Sequence, residues 1–361
     1  FVVAKLLSKM AAANVHDSVL GVISNTPLVK LGRSIPADAQ QATIYAKLEM
    51  QNPGGSVKDR IAKSMIEEAE KGGKITPQKT TVVEFTSGNT GIGLAMVCAA
   101  KGYKCIIIMP QLPAMTERFI TCRKFGADVH LTAPAKGVPG MQAHMDELLA
   151  SNADYWSPRQ FENQANPTVH YDSTGPEIWS QSGGKVDYFI AGIGTGGTMV
   201  GAGKFLKEQN PDCKLIAVEP TESRILTGAP HTKHTIVGIG AGVPLAFIEQ
   251  LEPGKEWCEG QRGIIDEFAH ADSATSIAFA NTLAAKEGLL VGPSTGAVMA
   301  VATQVAARPE AAGKTIVVVF PSSGIRYVTH PMWAAEVEEA FKALPKPPNM
   351  EVEPLVLYKS S

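Results

Sequence analysis

The stretch Thr80-Thr81-Val82-Val83-Glu84-Phe85-Thr86-Ser87-Gly88-Asn89-Thr90-Gly91 decides how the rest of the chain is read. Its first half is a β-rich run, and its second half is a turn of small polar residues and glycines. Residues 91–100 are small and apolar enough for a buried helix, and 105–109 make the next strand. A strand, a glycine turn, a helix and a strand form a unit whose ligands bind where strand passes into helix. The glycines let backbone approach a ligand, and the N–H groups, hydroxyls and helix dipole suit a carboxylate. A plain capped turn is the alternative.

The same alternation extends both ways. Towards the N-terminus, 28–31 and 43–50 read as strands, and 57–71 is a helix with Ile61, Met65, Ile66 and Ala69 at helical spacing. Towards the C-terminus come a helix over 116–125, a strand over 128–131 and a helix over 138–150. The polar stretch 157–167 reads as a domain crossing. Beyond it the pattern restarts: strand 188–191, helix 198–208, strands 214–218 and 263–268, helices 274–286 and 297–307, and strand 315–320. Near-continuous apolar strands between helices predict an α/β chain of two doubly wound parallel-sheet domains with a cleft between them. The expected division is a smaller domain over 52–163, a larger one over 13–51 plus 164–345, and terminal extensions at 1–12 and 346–361.

Composition narrows the function. Of 361 residues, 33 are Lys or Arg and 35 Asp or Glu, a formal net charge of −2, which points away from nucleic-acid and anionic-membrane partners. No apolar run approaches the ~20 residues of a membrane span. Cys98, Cys105, Cys122, Cys213 and Cys258 are scattered without a C-x-x-C pair, which argues against a disulfide framework or a metal site and for a reducing compartment. The first sixteen residues carry Lys5 and Lys9 and no acid, like the end of a transit peptide, whereas Met10-Ala11-Ala12 reads as a natural start. A cytoplasmic location is expected, with mitochondrion or plastid as the alternative.

Three further turns could carry chemistry. Gly192-Ile193-Gly194-Thr195-Gly196-Gly197-Thr198 satisfies G-x-G-x-x-G, with Glu219 ending the next strand. It fits a dinucleotide fingerprint or a cup for one terminal phosphate, and lacks the G-K-[ST] ending of a P-loop. Gly292-Pro293-Ser294-Thr295-Gly296 fits a nucleophile elbow, yet His330 is the one histidine that follows, with Glu310 the sole acid between them. Pro321-Ser322-Ser323-Gly324 sets a hydroxyl at a strand end, facing the cleft or capping a helix near Pro331. The breaker run Asn52-Pro53-Gly54-Gly55-Ser56-Val57-Lys58-Asp59-Arg60 places a lysine at a helix start, where solvation is the default.

Together these stretches resemble the cysteine synthase (O-acetylserine sulfhydrylase) family, pyridoxal-phosphate enzymes of fold type II. The resemblance runs from Gly21-Val22-Ile23-Ser24-Asn25-Thr26-Pro27-Leu28 to Tyr327 and includes Thr174-Gly175-Pro176-Glu177-Ile178-Trp179 and Gly238-Ile239-Gly240-Ala241-Gly242. It implies that Lys58 forms the imine with pyridoxal 5′-phosphate and serves as general base. It further implies that Gly194, Thr195, Gly196, Gly197 and Thr198 hold the phosphate, Asn89 the ring 3′-oxygen, and Ser322 faces the pyridine nitrogen. Thr86, Ser87, Gly88, Thr90, Gln160 and Gly238 would bind the substrate, with the smaller domain mobile over its carboxylate. The implied reaction is β-replacement through an aminoacrylate, making cysteine from O-acetylserine and sulfide, with no metal. Implied partners are a second copy in a homodimer and the C-terminal tail of serine acetyltransferase.

Some positions depart from the family pattern. Ile325 stands where an acid is common, Val328-Thr329-His330 where Leu-Ser-Thr is usual, Pro293 for Ile, and Gln164 and Phe85 for Pro. The alternatives are a β-cyanoalanine synthase or cystathionine β-synthase-like enzyme, a catalytically silent sensor, and an NAD(P)-dependent oxidoreductase built on the Gly192 turn. Thr90 and Thr195 follow the cysteine synthase pattern rather than the cyanoalanine one.

Overall fold

The computed structural model describes residues 15–243, 245–248 and 263–344. Cys258 and both expected terminal extensions lie outside the described residues. The chain runs through β1 (Leu28–Lys30), β2 (Thr43–Leu48), α1 (Lys58–Lys71), β3 (Thr81–Phe85), α2 (Asn89–Lys101), β4 (Lys104–Pro110), α3 (Thr116–Lys124), β5 (Asp128–Thr132), α4 (Gly137–Ser151) and β6 (Tyr155–Trp156). It continues through α5 (Ala165–Val169), a π-helical turn (His170–Thr174), α6 (Gly175–Gln181), β7 (Tyr188–Gly192), α7 (Gly197–Gln209), β8 (Lys214–Pro220), β9 (Glu267–Ala271), α8 (Ser273–Glu287), α9 (Pro293–Ala306), β10 (Thr315–Phe320) and α10 (Ala334–Ala343).

Two sheets result. One has the order β1-β2-β10-β7-β8-β9, the other β5-β4-β3-β6. Every pairing is parallel except β1 on β2. The α/β reading with two parallel sheets therefore holds. The all-apolar stretches of β8 and β10 sit mid-sheet and are buried on both faces, as parallel strands under helices must be. Helix α9 is buried nearly all round, and a Cβ on its Gly296 would lie 1.7 Å from the Ser276 carbonyl oxygen of α8. No helix among the described residues is long and apolar enough to cross a membrane.

The structure departs from the expected elements in four places. The strand expected over 263–268 forms at Glu267–Ala271, because the Asp266 carboxylate takes the Leu215 N–H (2.8 Å) and the ladder starts only after it. Helix α9 begins at Pro293, four residues early: proline's fixed φ and missing donor suit the first helical position, so the supposed elbow is a helix start. Residues 165–181 and 334–343 also form helices that their composition did not announce. The first of these is held by packing, since a Cβ on Gly201 of α7 would fall 2.0 Å from the Pro167 carbonyl oxygen.

A buried ion cluster joins α1 to the six-stranded sheet. Arg60 bonds Glu49 through Nε (2.7 Å) and Nη2 (2.8 Å), and Glu177 of α6 through Nη1 and Nη2 (both 2.7 Å). Lys47 of β2 reaches Glu177 at 2.7 Å, and the Thr26 hydroxyl donates to Glu49 at 2.7 Å. Burial alone would raise the Glu49 pKa, but the Arg60 charge and hydrogen bonds outweigh it and hold that carboxyl below its ordinary value. In Arg60→Met the Glu49 charge would stand uncompensated, so we expect a loss of about 3–5 kcal/mol in urea unfolding. The deficit should shrink as pH falls and Glu49 takes up a proton.

Candidate active site between the two sheets

The carboxyl ends of β3, β7 and β10 and the first turn of α1 meet in one place. The end of β10 is stitched to α1: the Val57 N–H donates to the Pro321 carbonyl at 2.8 Å, and Ser56 pairs with Ser322. Lys58 and Ser322 therefore open into the same space. A Cβ on Gly194, in the turn after β7, would lie 3.9 Å from Lys58 Nζ. No acid pairs with Lys58 among the described residues, and desolvation lowers its pKa to about 8.

The space has two lobes. The smaller, about 60 Å³, is lined by Lys58, Asn89, the turn after β7, Ser294, Ser322 and Tyr327. The Ser322 hydroxyl lies 2.9 Å from that of Tyr327, which also accepts a 3.4 Å hydrogen bond from Asn89 Nδ2. Asn89 Oδ1 is buried with no partner. Gly196 adopts φ +89°, which favours glycine, and a Cβ on Gly194 would lie 2.6 Å from the Gly238 carbonyl oxygen. Asn166 Nδ2 donates to the Thr195 hydroxyl (2.9 Å) and the Gln160 carbonyl (2.8 Å). The Thr198 hydroxyl lies 3.2 Å from His170 Nε2. Burial, reinforced by the Arg60 and Lys58 charges, drives the His170 pKa well below its ordinary value, so it is neutral. Hydroxyls and N–H groups at the start of α7 make a site for a small anion.

The larger lobe, about 240 Å³, adjoins it and is lined by residues 86–90, Gln160, Phe161 and Arg118, among others. The Thr90 hydroxyl donates to Gln160 Oε1 at 2.6 Å, which leaves the Gln160 amide N–H groups to donate elsewhere. Beneath the turn, Glu84 of β3 is fully buried, and burial pushes its carboxyl up to about 8 despite the Gln160 N–H donating to it at 3.4 Å. Glu84 is thus uncharged at neutral pH and adds no negative charge beneath a loop suited to a carboxylate.

Of the residues expected in the site, all but one line these lobes. Gly197 is the exception: it packs on Asn166, where a Cβ would lie 1.9 Å from Oδ1. Two alternative readings lose their geometry. Ser294 sits in the first turn of α9, while His330 Nε2 is bonded to the Thr235 carbonyl at 2.6 Å, so no triad forms. Glu219 is 1% exposed and accepts the Leu226 N–H at 2.8 Å, so it is not placed to read a ribose. The sequence did not single out Asn166, His170, Tyr327 or Arg118. Tyr327 could have been sought three residues beyond Gly324, but the others carry no local signal.

The sequence profile of the pyridoxal-phosphate-dependent enzymes matches residues 19–322. A cysteine synthase of Staphylococcus aureus is 44% identical over 319 residues, 88% of this chain and 97% of its own length. The chain belongs to the cysteine synthase family of pyridoxal-phosphate-dependent enzymes. Among solved structures, the cysteine synthase of Entamoeba histolytica superposes with a TM-score of 0.81 at 33% identity, over 89% of this chain and 91% of that one. The O-acetylserine-dependent cystathionine β-synthase of Helicobacter pylori superposes at 0.78 and 37% identity, over 88% and 99%.

The residues fit the family's cofactor. The glycine turn brings Gly194 closer to the Gly238 carbonyl than a Cβ would permit, Asn89 lines the smaller lobe with a buried Oδ1 that has no partner, and burial eases deprotonation of the lysine there. Acylation of Lys58 by an amine-selective reagent in cofactor-free protein should rise with pH to half its maximum near about 8. Peptide mass spectrometry would read this, and a midpoint near the ordinary 10.5 would contradict the desolvated environment. Glu84 gives a second test. Folded Glu84 keeps its proton up to about 8, while the unfolded chain releases it near 4.5, so its contribution to stability falls across that window. Glu84→Gln should therefore gain unfolding midpoint over the parent as pH rises from 5 to about 8, and no further above it.

Proposed function

We propose that this chain is a cysteine synthase, replacing the acetoxy group of O-acetylserine with sulfide to give cysteine and acetate. The observation that carries the reading is the desolvated Lys58 amine, set in one chamber between a neutral Ser322 hydroxyl and a loop suited to a carboxylate. Pyridoxal phosphate, when bound, supplies the electron sink that makes the substrate's Cα–H acidic. Thr195, Thr198 and the glycines from 194 to 197 would hold its phosphate, Asn89 would meet its ring oxygen, and Ser322 its ring nitrogen. A hydroxyl there, in place of a carboxylate, leaves the sink weaker and suits β-elimination over transamination.

Thr86, Ser87, Gly88, Thr90, Gln160 and Gly238 bind and orient the amino acid. The Lys58 amine, neutral once its proton is lost, takes the Cα proton. The Cβ–O bond breaks with its electron pair leaving on acetate. Sulfide then bonds to Cβ, and Lys58 returns the proton to Cα. The smaller unit, residues 52–163, carries the carboxylate loop and closes on the substrate to exclude water. The family resemblance supports a homodimer. The tail of serine acetyltransferase, ending in a carboxylate, would occupy the same loop, and the location is cytoplasmic. The likeness to the O-acetylserine-dependent cystathionine β-synthase supports, as the second reading, a thiol such as homocysteine in place of sulfide.

Purified holoenzyme should absorb in the visible and change its spectrum with O-acetylserine, and sulfide should restore it with release of cysteine. Lys58→Ala should lose turnover by about 10²–10⁴-fold. A colourless protein, or a band unaltered in that variant, refutes the cofactor assignment, and faster turnover with homocysteine than with sulfide selects the second reading.

A further inference from the structure

Arg118, in the first turn of α3, is 2% exposed and lines the larger lobe. Its Nη1 donates to the Ala114 carbonyl at 2.7 Å, but Nε and Nη2 are buried without any hydrogen-bond partner. The guanidinium lies over the Tyr327 ring, 5.0 Å from its centroid. Its neighbour Glu117 is turned to Arg326 at 3.1 Å, and no acid pairs with Arg118 among the described residues. Stacking satisfies one face of the charge and none of its in-plane donors. A buried guanidinium with two idle donors is strongly unfavourable until an anion joins it.

The anions already accounted for have their own sites: the cofactor phosphate at the start of α7 and the α-carboxylate on residues 86–90. Two others pass through the chamber in the proposed reaction, the departing acetate and the arriving hydrosulfide. We propose that Arg118 is a specificity-determining residue forming an anion subsite that receives the leaving carboxylate and then the incoming nucleophile. This rests on the β-replacement reading. Tyr327 places the subsite next to the cofactor lobe, because the ring under the guanidinium carries the hydroxyl that meets Ser322 and Asn89. When the Cβ–O bond breaks, its electron pair goes to an acetate oxygen within reach of the idle N–H donors. After acetate leaves, the same donors hold the hydrosulfide whose lone pair forms the Cβ–S bond.

The test compares holoenzyme with Arg118→Gln and Arg118→Lys. Acetate binding is measured by calorimetry, sulfide by the concentration that half-saturates spectral recovery after O-acetylserine, and L-alanine by spectral titration. L-alanine carries an α-carboxylate and no leaving group. Arg118→Gln should weaken acetate, sulfide or both by about tenfold or more, as expected for a charge-assisted hydrogen bond, with L-alanine little changed and Arg118→Lys recovering much of the loss. Loss of acetate alone assigns the subsite to the leaving group, and loss of sulfide alone to the nucleophile. Unchanged acetate and sulfide, or an equal weakening of L-alanine, overturns the proposal and leaves Arg118 a strut on Tyr327 or part of the α-carboxylate site. Failure of the β-replacement reading shows separately, as no spectral change with O-acetylserine in the parent, while acetate calorimetry still reads the subsite.

Discussion

The clamp of Arg60 between Glu49 and Glu177 is the constraint on which the site depends. Arg60 and Glu49 lie out of water and Glu177 is only 10% exposed, so the cluster is tolerable only with its charges matched and its hydrogen bonds made. That requirement fixes the first turn of α1 against the end of β2 and against α6. Lys58 stands two residues before Arg60, so its backbone position follows from the clamp. Just upstream, the Asp59 carboxylate takes the Gly54 N–H at 2.6 Å, which holds the breaker-rich turn against the helix start.

A second pattern is how charge is distributed around the chamber. Among the described residues, Arg60 and Lys47 are paired with acids, and Lys58 and Arg118 are not. Paired cations hold the fold, while unpaired ones border the cavity. Groups that could carry charge near the binding turns are kept neutral by burial: Glu84 under the loop after β3, and His170 beside the threonines of the loop after β7.

Backbone economy also shapes the site. Gly194, Gly197, Gly201 and Gly296 are places where another chain segment comes closer than a Cβ would permit. Two of them belong to the anion turn, and two bring helices close to the elements behind it. The Gly192 motif therefore serves close packing as well as ligand approach, and at Gly197 the close neighbour is Asn166.

The sequence by itself determined the strand and helix series, the parallel sheets, and the turns at strand ends, because apolar runs and glycine punctuation are local signals. The 315–320 strand and the Lys58 helix start are legible in this way. Residues 165–181 were not, since Asn, Pro, Asp and Gly within them favour turns, and only packing on α7 makes them helical. Ser294 was legible as a motif without the partners a triad needs, and Pro293 at a helix start and at an elbow look alike in one dimension. Tyr327 and Arg118 acquire meaning only in three dimensions: a guanidinium's lack of an acid depends on which distant side chains reach it. Tertiary structure decided which lysine is desolvated, which arginine is unpaired, and which serine faces the cofactor lobe. Burial and partnering are properties of the fold, and no spacing along the chain encodes them.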